Sequence, residues 1–289
     1  MAIYQHSWSS LRTAVSFVGV PLHRRSNASP TFSCFVGFIN FSRFTHCLWL
    51  HRPSPVSPAV SRFTSRLPPR RLFSVERVHG GMEVISVTAD ADVFTCNAYL
   101  VCGDRTVLVD AGTMPGVESV VATHTDDLDA VVLTHQHGDH IGELDAVVER
   151  FDPDVYAAAA HPLRTHELAD GDEIVLGDET FEVVHTPGHA DDHVSLVSDR
   201  SLFSGDVVVY NDGAFDDGSF GKTDLPGQSR ERVIASLRDL LDRLPETVER
   251  MYAGHGDVFE SGTGGDTVRD VIERALERAE RRQPKYPEA

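Results

Sequence analysis

The chain has 289 residues, of which 41% are hydrophobic, and it carries a formal net charge of −18 at pH 7. Such a negative charge disfavours binding to nucleic acid, because the phosphate backbone would be repelled. The longest apolar run of the first 81 residues, at residues 32–41, is broken by polar side chains and is far shorter than the roughly twenty residues that span a bilayer. We therefore expect neither a nucleic-acid-binding protein nor a membrane protein.

The charge is distributed unevenly along the chain and changes sign near residue 82. Residues 1–81 contain ten arginines, no lysine and one acidic residue, Glu76, which gives a formal charge of +9 and leaves −27 for the rest. Five prolines between Pro53 and Pro69 interrupt any helix or central strand in this segment. The contrast predicts a disordered basic extension at residues 1–81 and one folded domain at residues 82–289.

Several interpretations of the basic extension are open. We favour a mis-assigned start, with Met82 as the first residue of the protein, because the first predicted strand follows it directly. The Arg- and Ser-rich, acid-poor composition is alternatively typical of an organelle-targeting peptide. The Arg70-Arg71 pair does not make a twin-arginine signal, because no apolar segment follows it. A nucleic-acid-binding arm is less favoured, since the arginines are dispersed and no binding motif accompanies them.

The acidic composition of residues 82–289 bears on stability and on location. A formal charge of −27 predicts strong self-repulsion at low ionic strength, so we hypothesise a halophilic host with a salt-rich cytoplasm. If the two cysteines of this segment, Cys96 and Cys102, lie on one strand, they are on the order of 20 Å apart and too far for a disulfide. Both features favour a cytoplasmic location, with an organelle as the alternative.

In chain order, the acidic segment alternates between predicted strands and helices. Short β-rich runs predict eight strands, at residues 83–87, 98–101, 107–109, 131–133, 155–157, 181–184, 194–197 and 201–203. Apolar residues with helical spacing predict three helices, at residues 141–150, 230–244 and 267–282. The apolar stripes of these helices are interpreted as core. No internal repeat or second catalytic domain is visible.

The most informative motif follows the apolar run at residues 130–133. Residues 134–140 read Thr-His-Gln-His-Gly-Asp-His, which places four metal-ligand side chains within six positions: His135, His137, Asp139 and His140. Imidazole nitrogens and carboxylates are ligands of zinc and iron, and a loop at a strand end can direct them to one point. Core packing does not require this arrangement, so the motif predicts a metal site.

Three further candidate ligands lie in the same local context, each after an apolar run and beside glycine or proline. His189 ends the sequence Thr-Pro-Gly-His, Asp206 ends Ser-Gly-Asp, and His255 lies in Ala-Gly-His-Gly. A single histidine at a strand end is more often structural than a ligand. Five histidines and two aspartates in one shared context reverse that expectation and predict a site with seven ligands.

The motif His-x-His-x-Asp-His, followed by separate His, Asp and His ligands, resembles that of the metallo-β-lactamase-fold hydrolases, in particular the glyoxalase II-like (hydroxyacylglutathione hydrolase-like) branch. The segment Val-Leu-Val-Asp-Ala-Gly at residues 107–112 also matches the family's early strand. The resemblance extends from Met82 to the C-terminus. It implies an α/β fold, the four-layer αββα sandwich in which two packed β-sheets are covered by outer helices, with all ligand loops along one edge.

The resemblance also implies how the ligands divide. The first metal would be held by His135, His137 and His189. The second would be held by Asp139, His140 and His255, and Asp206 would bridge the two metals. Two zinc ions per chain are expected, with Fe²⁺ or Mn²⁺ as alternatives. A metal-activated water would attack the substrate, and Asp139 would orient this water and transfer its proton to the leaving group.

Three other residues are candidates for supporting roles. Asp110 would accept a hydrogen bond from a ligand histidine and fix its tautomer, or it would serve only in a turn. Tyr210 is a candidate for substrate binding near the metals, or alternatively a packed tyrosine after the valine run at residues 207–209. His193 is interpreted as a structural hydrogen-bond partner, because seven ligands already fill the family pattern.

The preferred function is that of a metal-dependent hydrolase acting on a small-molecule thioester, lactone or ester. The lysines and tyrosines that recognise glutathione in glyoxalase II are not recognisable, so the substrate stays open. The first alternative is a persulfide dioxygenase-like oxidoreductase, with one iron on His135, His189 and Asp206. An RNA-processing nuclease is less favoured, because only 48 residues separate Asp206 from His255, too few for an inserted nucleic-acid-binding domain. A non-enzymatic metal-binding module is the last alternative.

Overall fold

The structure is a computed structural model that describes residues 82–282. The predicted basic extension at residues 1–81 lies outside the described residues, as do residues 283–289. The proposed domain division and the interpretations of the extension therefore stay predictions. Two mixed six-stranded sheets with flanking helices make up the described part of the chain.

The first sheet contains six strands in the order in which they occur along the chain. They are β1 (Glu83–Ser86), β2 (Tyr99–Cys102), β3 (Val107–Val109), β4 (Ala130–Val132), β5 (Asp154–Ala157) and β6 (His166–Glu167). The strands β1 to β3 pair antiparallel, and β3 to β6 pair parallel. Because Val109 lies opposite Val132, Asp110 and the start of the metal motif leave the sheet at the same edge.

The second sheet contains the other six strands, in the order β12-β11-β10-β9-β8-β7. They are β7 (Glu173–Leu176), β8 (Glu179–His185), β9 (Val194–Val197), β10 (Ser201–Gly205), β11 (Arg250–Ala253) and β12 (Phe259–Glu260). Only β10 and β11 pair parallel, and their pairing ends with Gly205 opposite Ala253. Asp206 and His255 follow within two residues of these strand ends, so both leave the sheet at one edge.

Five α-helices flank the sheets within the described residues. They are α1 (Val117–Val121), α2 (Gly138–Ile141), α3 (Leu144–Phe151), α4 (Arg230–Arg243) and α5 (Val268–Glu280). Side-chain caps define the starts of the two longest: Ser229 accepts a hydrogen bond from the Arg232 N–H, and Thr267 forms a capping box with Asp270. No helix between residues 82 and 282 has the length and apolar character needed to cross a membrane.

Three apolar clusters show how these elements pack. Between the sheets, Val109 and Val132 of the first belong to one cluster with Phe181 and Phe203 of the second. The other face of the first sheet packs with α1 and α3, and the other face of the second sheet packs with α4 and α5. Burial of these apolar surfaces is the main stabilising term of the fold. The layers are helix, sheet, sheet, helix, which confirms the predicted αββα sandwich.

The predicted elements are present with ends that shift by no more than two residues for the strands. The elements α1, β6, β7, β11 and β12 are additional. The predicted helix at residues 141–150 begins later, as α3, and Ile141 instead ends α2. The two helices are separated at Glu143, whose N–H donates to the Gly112 carbonyl at 2.9 Å. Cys96 and Cys102 do not share one strand, because β2 begins at Tyr99. Both cysteines are free thiols, as predicted.

Candidate metal centre

One edge of the sandwich gathers the seven predicted ligands. They leave from the ends of four strands: His135, His137, Asp139 and His140 after β4, His189 after β8, Asp206 after β10 and His255 after β11. Their ligand atoms fall into overlapping groups of three in which all atoms lie within 4.8 Å of one another. The structure therefore brings every predicted ligand to one centre, although the seven lie on both sheets and are spread over 121 positions of the chain.

Three histidines, His135, His137 and His189, form the first part of this centre, the histidine cluster. The Nδ1 atom of His137 lies 3.0 Å from His135 Nε2 and 2.9 Å from His189 Nε2. A ring nitrogen can form a hydrogen bond with only one of these two neighbours. Three nitrogen lone pairs that point at one position can instead coordinate one cation. Three imidazole nitrogens are a donor set that zinc accepts.

Histidine ligands must be neutral to bind a metal, and the surroundings of this cluster favour the neutral form. Burial lowers the pKa of His189, and burial together with the neighbouring His140 holds the pKa of His135 well below its usual value. The Nδ1 atom of His189 lies 2.9 Å from the Lys222 carbonyl oxygen. Because a carbonyl only accepts, Nδ1–H is the donor, and the Nε2 lone pair faces the cluster.

The second part of the centre, the mixed cluster, contains Asp139, His140 and His255. Asp139 Oδ2 lies 3.0 Å from His255 Nε2. Burial would lower the pKa of His255, but the hydrogen bond to Asp139 and the charge of Asp206 outweigh it and raise that pKa. A carboxylate and two imidazoles are again a donor set of divalent transition metals.

Asp110 supports the mixed cluster from behind. It accepts hydrogen bonds from His140 Nδ1 at 2.8 Å, from the Thr134 N–H at 2.8 Å and from the Thr134 hydroxyl at 2.7 Å. The first of these fixes the tautomer of His140 and directs its Nε2 atom toward the centre. Asp110 also has a φ of 58°, in the left-handed region, so it fulfils both predicted roles, as hydrogen-bond acceptor and as turn residue.

Asp206 lies between the two clusters. Its Oδ2 is 3.2 Å from His189 Nε2 and 3.5 Å from His255 Nε2, and its Oδ1 is 3.4 Å from His140 Nε2. Burial would raise the pKa of Asp206, but the three neighbouring imidazoles, His140 foremost, outweigh burial and hold the pKa well below its usual value. Asp206 is therefore an ionised carboxylate that faces ligands of both clusters.

Two atoms at the centre, His140 Nε2 and Asp206 Oδ1, are buried and have no hydrogen-bond partner within residues 82–282. A buried polar atom without a partner costs about 1–3 kcal/mol, so two such atoms facing each other call for an explanation. Both are of the types that ligate divalent cations. The residues present therefore fit a cation at the mixed cluster, with Asp206 as a shared ligand.

His193 lies beside the centre without joining it. Its Nε2 accepts a hydrogen bond from the Asp206 N–H at 2.9 Å, and its Nδ1–H donates to the Thr186 hydroxyl at 2.7 Å. Burial lowers the pKa of His193 to about 3, so the ring is neutral. At Gly205, which has a φ of 51°, a Cβ would lie 2.5 Å from His193 Nε2, so this close approach requires glycine. The predicted structural role of His193 is confirmed.

Asn97 joins the two sheets at the centre, a role that the sequence did not indicate. Its side-chain amide donates to the carbonyl oxygens of Ala253 at 3.0 Å and Gly256 at 2.9 Å, and its backbone N–H donates to Gly254 O at 2.7 Å. These three bonds fix the loop that carries His255. No local motif marks such a residue, because its partners lie more than 150 positions away in the chain.

The centre opens into a cavity of about 460 Å³ that is lined by ligand residues together with Phe94, Lys222 and Leu225. Tyr210 is not among the lining residues; its ring packs edge-on against Phe259, with centroids 4.9 Å apart. This position corresponds to the packed-tyrosine alternative, not to the predicted substrate contact. No sequence motif marks Phe94 as a residue of this cavity. Lys222 is one of only two lysines in the chain. This rarity is the sequence feature that could have singled out Lys222 as a cavity residue.

Comparisons with known proteins identify relatives of this chain. Residues 91–255 match the family model of the Metallo-beta-lactamase superfamily. The chain is similar to a hydroxyacylglutathione hydrolase of Aliivibrio fischeri (strain MJ11), with 40% identity over 153 residues that cover 52% of this chain and 56% of the relative. It is also similar to a beta-lactamase-like protein 2 homolog of Drosophila melanogaster, with 30% identity over 230 residues that cover 72% and 70% of the two chains.

A solved structure supports the same assignment. The crystal structure of the BLEG-1 B3 metallo-beta-lactamase matches with a TM-score of 0.51 and 27% identity, over 63% of this chain and 95% of that chain. The chain spans about half the length of the hydroxyacylglutathione hydrolases that it matches. Since the family model covers more than half of the chain and the fold agrees, this chain belongs to the metallo-β-lactamase superfamily.

Proposed function

We propose that this chain is a hydrolase with a binuclear zinc centre that cleaves a small thioester, lactone or ester. The observation that carries the proposal is the position of Asp206, whose two oxygens face ligands of both clusters. A carboxylate in this position suits a bridge between two neighbouring cations. Similarity to proteins named hydroxyacylglutathione hydrolases supports an acyl compound as the substrate.

The ligand residues divide between two metals in this proposal. The histidine cluster would hold one cation, the mixed cluster the other, and Asp206 would be shared. When bound, the cations lower the pKa of water from about 15.7 to about 7 and polarise the carbonyl that is attacked. Imidazole and carboxylate donors suit zinc, and the same donors also accept Fe²⁺ or Mn²⁺.

We assign proton transfer to Asp139, which lines the cavity. Burial would raise its pKa, but the hydrogen bond with His255 and the charge of His140 lower it. The carboxylate is therefore ionised at neutral pH and can accept a proton from the attacking water. Because it borders the space available to the substrate, it can return that proton to the leaving group.

The proposal is tested by measuring metal content and turnover on the same preparation of the full chain. We expect about two zinc ions per chain and hydrolysis within a panel of thioesters, lactones and esters. The panel also includes a phosphodiester and a persulfide. One iron per chain with oxygen consumption on the persulfide would overturn the proposal in favour of an oxidoreductase, and cleavage of the phosphodiester alone would favour a nuclease.

Matched histidine variants show whether the metal content belongs to this centre. His137→Ala removes the nitrogen shared by two contacts of the histidine cluster, so we expect it to lose at least one zinc. His124→Ala changes an exposed histidine outside the centre and serves as the control. Equal zinc content in the two variants would place the metal elsewhere.

We also propose that the protein functions in a salt-rich cytoplasm. The formal charge of −27 on residues 82–289 supports this, because added salt screens repulsion between surface charges. We expect the midpoint of thermal unfolding of the full chain to rise as KCl is increased from low to molar concentration. A midpoint that is equally high without added salt would contradict this proposal.

A further inference from the structure

Two exposed apolar side chains border the cavity above the metal centre. Within residues 82–282, five large hydrophobic residues are exposed, and two of them, Phe94 and Leu225, line this cavity. Their exposed fractions are 78% and 53%. Exposed apolar surface is unfavourable in water, and its concentration at a cavity that also holds convergent polar groups marks a ligand-binding surface.

Phe94 is placed at the centre by the loop between β1 and β2. Its ring stacks on the ring of His255, with centroids 5.4 Å apart and an angle of 17° between the planes. The Phe94 carbonyl accepts a hydrogen bond from the Thr113 hydroxyl at 2.7 Å, and the Cys96 N–H donates to the Asp139 carbonyl at 3.1 Å. The loop is thus bonded on both sides of Phe94, and the ring is fixed next to two ligands of the mixed cluster.

Leu225 is placed at the cavity by a short turn before α4. The Leu225 N–H donates to the Gln228 side-chain oxygen at 3.0 Å, and the Gln228 N–H donates to the Leu225 carbonyl at 3.1 Å. Between them, Gly227 has a φ of 89°, which favours glycine. The turn is closed on itself, so Leu225 is held at the cavity although its side chain has little core packing.

The cavity therefore has two chemically different parts. Charged ligand residues such as Asp139 and Asp206 form one part, and the exposed side chains of Phe94 and Leu225 form the other. A ligand that suits both parts has a polarisable carbonyl joined to an apolar substituent. A small hydroxyacyl group would leave the apolar surface in contact with water.

We infer that Phe94 and Leu225 bind the acyl side of the substrate, and that the substrate class is thioesters or esters with an aromatic or medium-chain apolar acyl group. This inference rests on the proposed hydrolase function. Apolar acyl groups remove both side chains from water on binding, and an aromatic acyl group can stack on the outer face of Phe94.

The test is a series of thioesters that share one thiol and differ in the acyl group: acetyl, hexanoyl and phenylacetyl. For the zinc-loaded full chain we expect kcat/KM for hexanoyl and phenylacetyl to exceed that for acetyl by roughly tenfold or more, the discrimination typical of an apolar pocket. Phe94→Gln and Leu225→Gln are each expected to reduce the hexanoyl-to-acetyl ratio by roughly threefold to tenfold. Phe94→Leu keeps an apolar side chain and should retain most of the ratio.

Val175→Gln is the matched control, because Val175 is also exposed but does not line the cavity. It should leave the ratio as in the wild type. Zinc content is measured for every variant, since Phe94 contacts a ligand ring. A wild-type ratio near one, or a ratio that neither glutamine variant changes while zinc is retained, would overturn the inference.

A binding measurement separates failure of the inference from failure of the proposed hydrolase. Calorimetry of hexanoate and acetate with the zinc-loaded chain needs no turnover, and we expect hexanoate to bind roughly tenfold tighter, a preference that Phe94→Gln removes. If no thioester is cleaved but this preference persists, the hydrolase function fails and the apolar subsite stands. If thioesters are cleaved without any preference in rate or binding, only the subsite fails.

Discussion

The two ligand clusters of the centre are built in opposite ways. In the histidine cluster, burial lowers the pKa of His135 and His189, so these ligands are neutral before any metal arrives. In the mixed cluster, the pKa values of His140 and His255 are raised in spite of burial, for His140 by Cys96 and nearby carboxylates and for His255 by carboxylates. These rings therefore hold protons when metal is absent. Desolvation therefore determines the protonation of the histidine cluster, whereas a hydrogen-bonded network of charges determines that of the mixed cluster.

The largest expected effect comes from removing the residue that the two clusters share. In Asp206→Asn the side chain keeps its shape but loses its charge, so both positions lose a charged ligand. We expect kcat/KM to fall by roughly a thousandfold, since several kcal/mol of transition-state stabilisation depend on the metals. Metal content should fall from about two to one or fewer per chain. Asp216→Asn, at an exposed position outside the cavity, is the control; two retained metals in Asp206→Asn would contradict a shared role.

The next effect distinguishes the clusters. Asp110→Asn is expected to weaken zinc binding at the mixed cluster by roughly tenfold to a hundredfold, because the His140 tautomer is no longer fixed by a carboxylate. Within residues 82–282 no hydrogen bond joins Asp110 directly to the histidine cluster. The Thr134 hydroxyl links Asp110 only indirectly to His135, whose Nδ1 lies 3.2 Å from that hydroxyl, so binding of the other zinc should be affected much less. Competition titration with a chromophoric chelator measures the affinity of each of the two zinc-binding steps. Equal weakening of both steps would show that Asp110 supports the whole edge and not one cluster.

A smaller effect is expected from the residue that joins the sheets. Asn97→Ala removes the amide that donates to the Ala253 and Gly256 carbonyls. The Ala253 carbonyl keeps the Tyr99 hydroxyl as a donor, and we expect the free energy of unfolding to fall by about 1–2 kcal/mol. Zinc binding at the mixed cluster should weaken as well, because the loop with His255 is less fixed. Thr247→Ala, which removes an exposed hydrogen bond to the Asp199 carbonyl oxygen, is the matched control, and denaturant unfolding provides the measurement.

The parts of the centre that could be predicted from the sequence are those with a local pattern. The seven ligands all follow apolar strands, and five of them adjoin a glycine, so residue type and local context were enough to predict them. Asn97 and Phe94 have no such pattern, because their contacts depend on how the two sheets pack. Neither residue could be assigned without the long-range geometry.

The helices and strands likewise divide into those with a local sequence pattern, which could be predicted, and those without one. Strands with a clear apolar run, such as β3 and β9, were predicted with the observed ends. The edge strand β6 has only two residues, His166 and Glu167, too few for any periodicity. Between α2 and α3, Glu143 leaves helical geometry and its N–H donates to the distant Gly112 carbonyl at 2.9 Å, a contact that a helical pattern over residues 141–150 does not reveal.

The contrast between the clusters also predicts how metal affinity depends on pH. At the mixed cluster, a metal must displace protons from His140 and His255, whose pKa values are raised, so affinity should increase as pH rises toward those values. At the histidine cluster, His135 and His189 have lowered pKa values and release no proton near neutrality, so affinity should depend less strongly on pH.

Zinc titrations between about pH 6 and pH 8, in buffers with different ionisation enthalpies, measure the protons released at each step. We expect the step assigned to the mixed cluster to release more protons than the other step. Asp110→Asn removes one of the charges that raise the pKa of His140, so in this variant the proton release of the mixed cluster should decrease. Equal proton release in both steps of the wild-type protein would mean that the two clusters are electrostatically alike, contrary to the arrangement of Asp110 and Asp139 around only one of them.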